Sequence, residues 1–587
     1  MHSKRWQIAS PPTPQARDNL SSFPNILAQL AFNRGHATLE EARNFFNART
    51  LHSTDPFQMT GMQATVERLR RAIAGAEPIA IYGDYDVDGV TATALLVQAL
   101  KALGADVRPY IPNRFDEGYG LNTDALDTLA GQGVRLVITV DCGIRSPVEA
   151  AHARTLGLDL VITDHHHPGD ELPPAFAVIN PKQAGDAYPY KELAGVGIAF
   201  KLAEALFSSQ PPADSNQQSA ISGQRSVENG NSAVGDLRLG DLLDLVALGT
   251  VADLAPLTGE NRALVRRGLR QMHQTTRQGL FSLANVSGIE LKKISATHIG
   301  FMLGPRLNAS GRLEDAIASY ELLTTTDVMR AGQLAQQLNV QNIERQRITR
   351  QMQKAAEEIA LADDPEAFLL FAAREDFNPG VVGLAAARLT EAYYRPAIVA
   401  HHDAETTRGS CRSIPEFHIT DALDACADLL VRHGGHAAAA GFTVENDKLP
   451  ELVSRLKAIA AEKLSGADLR RTLNADLEVP LAELSMDLLK NLSYLEPTGY
   501  GNPEAVFVSR NLRVTQSRTV GQEGKHLKLK VTDGKNTFDA IGFRLGHLQP
   551  NLPERVDLMY AFEPNEFNGR VTPQLNLKDV KPAGTPD

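Results

Sequence analysis

Between residues 77 and 181 the chain repeats one pattern five times: a short β-branched, apolar run closed by Gly, Pro or Asp. The runs are EPIAIYGDYD, GADVRPYIP, VRLVITVDCG, LDLVITDHHH and FAVINP, and helix-forming spacers such as VTATALLVQALKALG separate most of them. Apolar runs without a polar alternation suit strands covered on both faces, and their alternation with helices predicts a mostly parallel sheet. Such a sheet gathers its strand carboxyl ends along one edge, where ligands bind. The charged residues of these segments fall on that edge.

The rest of the chain changes period several times. Residues 1–74 read as a mixed helical lead-in, with LEEARNFF (39–46) as an amphipathic stretch, expected to pack on the first α/β unit at 75–327. Inside that unit, 208–236 is rich in Ser, Asn, Gln and Gly and is expected to be a disordered surface insertion. LGDLLDLVALGTVADLAPL (239–257) then returns to helix-forming character. Residues 328–362 contain no Pro and set Leu334, Leu338 and Ile343 at roughly helical spacing, which predicts a connecting helix. A second α/β unit is expected over 363–465. From 466 to 587 the period becomes two: HLKLKVTD, FDAIGFR and GRVTPQLNLKDV alternate apolar and polar positions around the turns DGKN and FNGR. That pattern predicts a small antiparallel barrel or sheet, with an OB-type barrel as one candidate.

Composition narrows the class. At 587 residues the chain is too long for one core and calls for several domains. With 43% hydrophobic and 22% charged residues it is of ordinary globular composition, and no apolar stretch approaches the ~18 residues of a membrane span. The start, MHSKRWQIASPPTPQ, has no apolar segment behind its basic residues, so no secretory leader is expected. Cys142, Cys411 and Cys426 are an odd set without CxxC spacing, which argues against a disulfide framework or a zinc knot and points to a reducing cytoplasm. The net charge of -11 does not exclude a polyanionic substrate, because bound divalent cations would cancel clustered carboxylates locally.

The chemistry concentrates at the strand ends. YGDYDVDGVTATALL (82–96) places Asp84, Asp86 and Asp88 on alternate positions after an apolar run, and further strand ends carry Asp141 and Asp164-His165-His166; Asp253 follows in GTVADLAPL. If the strands are parallel these groups converge, and unpaired carboxylates so close would repel and raise one another's pKa. Divalent cations remove the conflict. Oxygen ligands mixed with imidazole suit Mn²⁺ or Mg²⁺ better than zinc. Four carboxylates with one or two histidines suffice for two ions about 3.5–4 Å apart, the arrangement that activates water for in-line phosphoryl displacement. The expected reaction is hydrolysis of a phosphoester or phosphoanhydride. Two readings stand open for Asp88: support for a ligand, or a cap on the helix beginning near Val90. His167 reads as a surface residue and Cys142 as a small buried one.

DxDxDG, VDCG, DHH and VAD in this order resemble the motifs of the DHH phosphoesterase superfamily, the triplet being Asp164-His165-His166. GPRLNASGRLEDA (304–316), FNPGVVGLAAARL (377–389), GSCRSI (409–414) and GGHAAAAGF from Gly434 resemble the connector and the second, DHHA1, domain of RecJ-type single-strand-specific exonucleases. LEPTGYGNPEAVF (495–507) and NEFNGRVTPQL (565–575) are similar to the OB-fold segment of that family. The resemblance implies an α/β architecture: a parallel-sheet DHH catalytic domain joined by a long helix to a DHHA1 domain, followed by an OB barrel. It also implies 5′→3′ hydrolysis of single-stranded DNA to 5′ mononucleotides, in repair and recombination. A monomer working with a helicase and a single-strand binding protein, and no membrane, belongs to the same expectation.

The resemblance further assigns Asp84, Asp86, Asp141, His165 and Asp253 to two Mn²⁺ or Mg²⁺ ions, with Asp141 bridging and His166 either helping to bind metal or stabilising the charge that develops at the phosphate. Asp88 and Asp164 would support these ligands. Arg114, Arg306, Asn308, Arg312, Ser410, Arg412, Gly435 and His436 would contact the 5′ phosphate and backbone, the guanidinium forks matching phosphate oxygens. For Arg312, pairing with Glu314 or Asp315 competes with that role. Two positions depart from relatives: Tyr82 stands where some superfamily members carry a metal-binding His, and Phe377-Asn378 where others have Trp-His. On HLKLKV, His526, Lys528 and Lys530 would face out as a basic stripe, and Phe567 would either stack on a base or enter the core. A phosphodiesterase for short oligonucleotides or cyclic dinucleotides and a non-catalytic single-strand binding scaffold are the competing functions. The long helix and the barrel disfavour the former; the complete ligand set disfavours the latter.

Overall fold

The computed structural model describes residues 4–50, 54–113, 117, 120–208, 233, 234, 236–313, 315–567 and 569–585. Arg114, Glu314 and nearly all of the 208–236 stretch lie outside them, as does the side chain of Phe567. The chain divides into a larger unit, with Trp6–Gly311, Asp315–Gln336 and Asn474–Asp587, and a smaller one built on Gln337–Leu473 and joined by Arg312.

After a short strand (Arg5–Ile8) and a short helix (Pro14–Asn19), the larger unit has helices α1 (Asn25–Asn33), α2 (Leu39–Asn47) and α3 (Met62–Ala74). α2 starts where a reciprocal cap is available: the Thr38 hydroxyl accepts from the Glu41 N–H, and the Glu41 carboxylate accepts from the Thr38 N–H. A five-stranded sheet follows, built from β1 (Ile79–Gly83), β2 (Val107–Tyr110), β3 (Leu136–Val140), β4 (Asp159–Thr163) and β5 (Ala177–Ile179). Its order is β2-β1-β3-β4-β5 and every pairing is parallel. All five expected strands are present. The order reverses between β1 and β3, the kind of switch point at which such sheets bind ligands. Helices α4 (Val87–Ala102), α5 (Gly195–Ser208) and α6 (Leu243–Ala252) are buried almost throughout, and α7 (Gly259–Met272) and α8 (Gly304–Leu313) are among the further helices of the unit.

A 36-residue helix, α9 (Val328–Asp363), carries the chain into the smaller unit. There β6 (Leu370–Arg374), β7 (Ala397–His402), β8 (Thr406–Arg412), β9 (Leu430–His436) and β10 (Ala439–Glu445) form a sheet of order β9-β10-β8-β7-β6, flanked in sequence by α10 (Val382–Tyr393) and α11 (Leu449–Leu464). Only β6 and β7 pair in parallel.

The last strands belong to the larger unit: β11 (Leu477–Glu478), β12 (Val506–Val520), β13 (His526–Thr532), β14 (Thr537–Gly542), β15 (Arg555–Phe567) and β16 (Arg570–Pro582). Pairing of β12 with β15 closes a five-stranded barrel with β11 at its margin. It is not purely antiparallel, since β11–β12 and β14–β16 run parallel. On β13, Leu527, Leu529 and Val531 are buried and His526, Lys528 and Lys530 half-buried, so the basic stripe lies on the outer face.

Of the lead-in, expected to pack on the first α/β unit, the second half does so, and the first half, up to Phe46, packs elsewhere. Leu20, Leu30, Phe45 and Phe46 share one core with Phe507, Leu529, Leu558 and Tyr560 of the barrel; α3 packs on α5 and β5, and the turn Pro56–Gln58 packs on α5. An amphipathic helix shows an apolar face but not its partner. The Arg262 guanidinium on α7 pins this arrangement, donating to the carbonyls of Phe45 (3.2 Å), Leu495 (2.6 Å), Pro497 (2.9 Å) and Tyr494 (2.9 Å). No helix among the described residues is long and apolar enough to cross a membrane.

Candidate metal centre

Strand register builds the site. Gly83 pairs with Val140 and Val140 with Thr163, so the next residues, Asp84, Asp141 and Asp164, leave the sheet side by side. The Asp141 N–H is held by the Thr163 carbonyl (3.0 Å) with φ at +63°, a left-handed conformation that Asp adopts more readily than most residues. Gly195 lets α5 approach: a Cβ there would stand 2.7 Å from that of Asp141. Asp86 caps α4, its Oδ1 accepting from the N–H groups of Asp88 (2.8 Å) and Gly89 (3.1 Å). Asp253 sits at the carboxyl end of α6, where the helix dipole disfavours a negative charge.

Three groups of side chains place possible ligand atoms within 4.8 Å of one another: Asp84, Asp86 and Asp141; Asp141, His165 and His166; and Asp88, His165 and Asp253. Asp141 and His165 link the groups. His165 Nε2 lies 3.1 Å from Asp141 Oδ1 and 3.9 Å from Asp253 Oδ2, yet His165 Nε2 and Asp141 Oδ1 are buried without a hydrogen-bond partner. Burial, with the neighbouring His166 charge, pushes the His165 pKa down to about 3, so the ring is neutral and its attraction to Asp141 is not an ion pair. Burial and the surrounding carboxylates push Asp141 and Asp253 well above the usual carboxylate range. Such a set is unfavourable alone and is satisfied by divalent cations, which accept both the orphaned oxygen and the orphaned nitrogen. The residues present fit that group.

The supporting residues are resolved more sharply than the sequence allowed. The helix expected near Val90 starts at Val87 and takes Asp86 as its cap, so Asp88 does not cap it. Asp88 instead accepts from the N–H groups of Gly195 (2.7 Å) and Val196 (2.9 Å). It thereby fixes the amino end of α5, and burial pushes its pKa up to about 7. Asp164 accepts from the Ile144 N–H (2.9 Å) and the His166 N–H (3.0 Å) and lies 2.7 Å from His166 Nδ1. Against the opposing pull of burial, this contact raises the His166 pKa above its usual value. Tyr82 is wholly buried, donating to the Gly120 carbonyl (3.0 Å) and stacking on Tyr110, so it is a core residue. Cys142 is buried too. The sequence reading missed Gly195 and Asn180, whose Nδ2 donates to the His166 carbonyl (2.8 Å); AGVG at a helix start and the Asn ending AVIN were the available signals.

The expected substrate contacts fall in both units. In the larger, Arg306 Nη1 donates to the Met302 carbonyl (2.7 Å) and Asn308 Oδ1 accepts from the Val87 N–H (3.1 Å), inside the aspartate loop. In the smaller, Arg312 Nη1 donates to the Gly380 carbonyl (3.2 Å). Arg412 pairs across strands with Ala439, which pairs with His436; Ser410 pairs with Gly441, which pairs with Gly434. These two rows are two residues apart, so Ser410, Arg412 and His436 share one sheet face. Arg412 Nη1 donates to Ser410 Oγ (3.2 Å). Gly435 has φ at +150°, and a Cβ there would stand 2.4 Å from the Ala439 carbonyl oxygen. Phe377 is buried in a core with Val381 and Leu389.

Family models match three consecutive segments: the DHH family N-terminal domain at 78–250, the DHHA1 domain at 366–462 and the RecJ OB domain at 475–579. The single-stranded-DNA-specific exonuclease RecJ of Bacillus subtilis is 38% identical over 583 residues, covering 98% of this chain and 70% of the relative. That of Salmonella typhimurium is 36% identical over 578 residues, covering 96% of each. The crystal structure of RecJ in complex with Mn²⁺ from Thermus thermophilus superposes with a TM-score of 0.82 at 29% identity, over 99% of this chain and 80% of that one. Identity at this level, running through all three domains in the same order, means that the chain belongs to the RecJ family of single-stranded-DNA-specific exonucleases.

Proposed function

We propose that the chain is a metal-dependent exonuclease that hydrolyses single-stranded DNA from the 5′ end to 5′ mononucleotides, in repair and recombination. The carrying observation is the pair of buried, unpartnered atoms, Asp141 Oδ1 and His165 Nε2, 3.1 Å apart among further carboxylates. Asp84, Asp86, Asp141, His165 and Asp253 would hold two Mn²⁺ or Mg²⁺ ions, with Asp141 shared between them. Bound there, the ions supply an activated water and charge stabilisation for the leaving oxygen. The protein does the rest. Asp164 holds the His166 ring in place and favours its protonated form, so His166 would donate to a phosphoryl oxygen as negative charge develops. Asp88 anchors α5 so that Gly195 backs Asp141.

For the strand itself, Arg306 and Asn308 offer a guanidinium and an amide on α8, and Arg312, Ser410, Arg412, Gly435 and His436 offer donors in the smaller unit. Arg114 belongs to the same proposal. So do action as a monomer in the cytoplasm and delivery of the strand by a helicase or a single-strand binding protein. The test compares long 5′-labelled single strands, duplexes and dinucleotides in one Mn²⁺ assay with product sizing. Mononucleotides released first from the 5′ end of the long single strand are expected; preference for the dinucleotide would replace this reading with a short-oligonucleotide phosphodiesterase.

A further inference from the structure

Two large apolar side chains stand in water, one just past the end of α6 and one on the turn packed against that end, and the hydrolytic chemistry uses neither. Leu254 follows Asp253 directly. It is 68% exposed and has φ at +63°. It occupies the position after the last turn of α6, where the Ala255 N–H bonds the Thr250 carbonyl (3.2 Å) and the Leu254 N–H the Val251 carbonyl (3.3 Å). That end motif normally takes Gly, because a Cβ is strained there. Strain kept at a site edge points to use of the side chain.

Phe301 is 81% exposed and lies on a π-helical turn, Ile299–Leu303, that runs directly into α8. Single π turns inside helices concentrate at functional sites. The turn docks on the end of α6: a Cβ on Gly304 would stand 3.3 Å from that of Ala252, and one on Gly300 3.9 Å from Val251 Cγ1. Farther along α8, Asn308 bonds Val87 and a Cβ on Gly311 would stand 2.7 Å from the Tyr85 carbonyl oxygen. One rigid segment therefore links Phe301, Arg306 and the aspartate loop.

We propose that Phe301 and Leu254 form a stacking shelf for one unpaired base of the strand whose backbone is cleaved at the aspartate cluster. This rests on the exonuclease reading above. A nucleotide presents a polyanionic backbone and an apolar ring face, and the site offers a cation-binding cluster with Arg306 for the first and this pair for the second. A base in a duplex hides both faces in the stack, so the shelf also favours single strands.

The test measures KM and kcat on single-stranded oligonucleotides in which one abasic residue is moved along the strand. Phe301→Ala is expected to raise KM about tenfold with a smaller change in kcat, within the range of one base–aromatic stack. At one abasic position the wild type is expected to lose about tenfold in kcat/KM and Phe301→Ala to lose nothing more, because the same contact is already gone. Phe301→Trp should restore the wild-type KM. Leu254→Gly, which removes the side chain and relaxes the left-handed position, should raise KM without lowering Tm. Losses that multiply at every abasic position, or a wild-type KM in Phe301→Ala, overturn the shelf while leaving the exonuclease reading intact. A wild type that degrades no single strand removes both.

Discussion

The larger unit buries acidic side chains in two places and treats them in opposite ways. Glu204 and Glu260 are buried around Lys201, whose ammonium lies 2.8 Å from one and 2.7 Å from the other and also donates to the Thr54 carbonyl. The Tyr188 hydroxyl donates to the second Glu260 oxygen (2.5 Å). The protein supplies every partner for these charges. Around Asp141 the neighbours are Asp84, Asp86, Asp88 and Asp253, together with a neutral His165. Burial raises the pKa of Glu260 and of Asp141 alike, so desolvation alone does not tell a structural acid from a working one. The difference is whether the fold itself brings the countercharge.

Changes to each cluster separate the two cases. Asp141→Ala should lower hydrolysis on the order of 10³-fold or more, about 4 kcal/mol of barrier, while single-strand binding measured by anisotropy persists. Undiminished Mn²⁺-dependent activity would erase the contrast. Lys201→Met, which removes the ammonium that the two buried carboxylates share, should cost about 3–5 kcal/mol of stability in a denaturant titration whether or not Mn²⁺ is present. Mn²⁺ at about 100 times its Kd should stabilise the wild type by about 2.7 kcal/mol. The gain should persist in Lys201→Met and shrink in Asp141→Ala; an equal gain in all three would mean the ions bind elsewhere. Tyr188→Phe, which removes one hydrogen bond to a buried carboxylate, should cost about 1.5 kcal/mol with no change in the Mn²⁺ response.

What the sequence revealed follows the range of the interactions. Strand ends were legible because each apolar run closes on its own Asp, and parallel pairing then forces Asp84, Asp141 and Asp164 into line. The period-two alternation on His526–Thr532 announced the barrel in the same local way. Asp88 was not legible, since its partners Gly195 and Val196 lie more than 100 residues away and nothing local separates such a cap from a cap on its own helix. Tyr82 was placed as a departure from a ligand, but its burial against Tyr110 came only from the packing. The destination of the lead-in was hidden for the same reason, because Phe45 and Phe46 mark an apolar face without naming what covers it.

That destination sets a timetable for synthesis. Helices ending by Asn47 leave the ribosome early, yet their core partners extend to Leu577, and three of the four carbonyls that seat Arg262 lie between residues 494 and 497. The parallel sheet can close while these helices wait exposed, since none of its strands depends on them. The helices between residues 25 and 47 thus take their places only as the barrel strands that follow them arrive, and a chain stalled before the barrel keeps its apolar lead-in uncovered, a surface for chaperones and for aggregation.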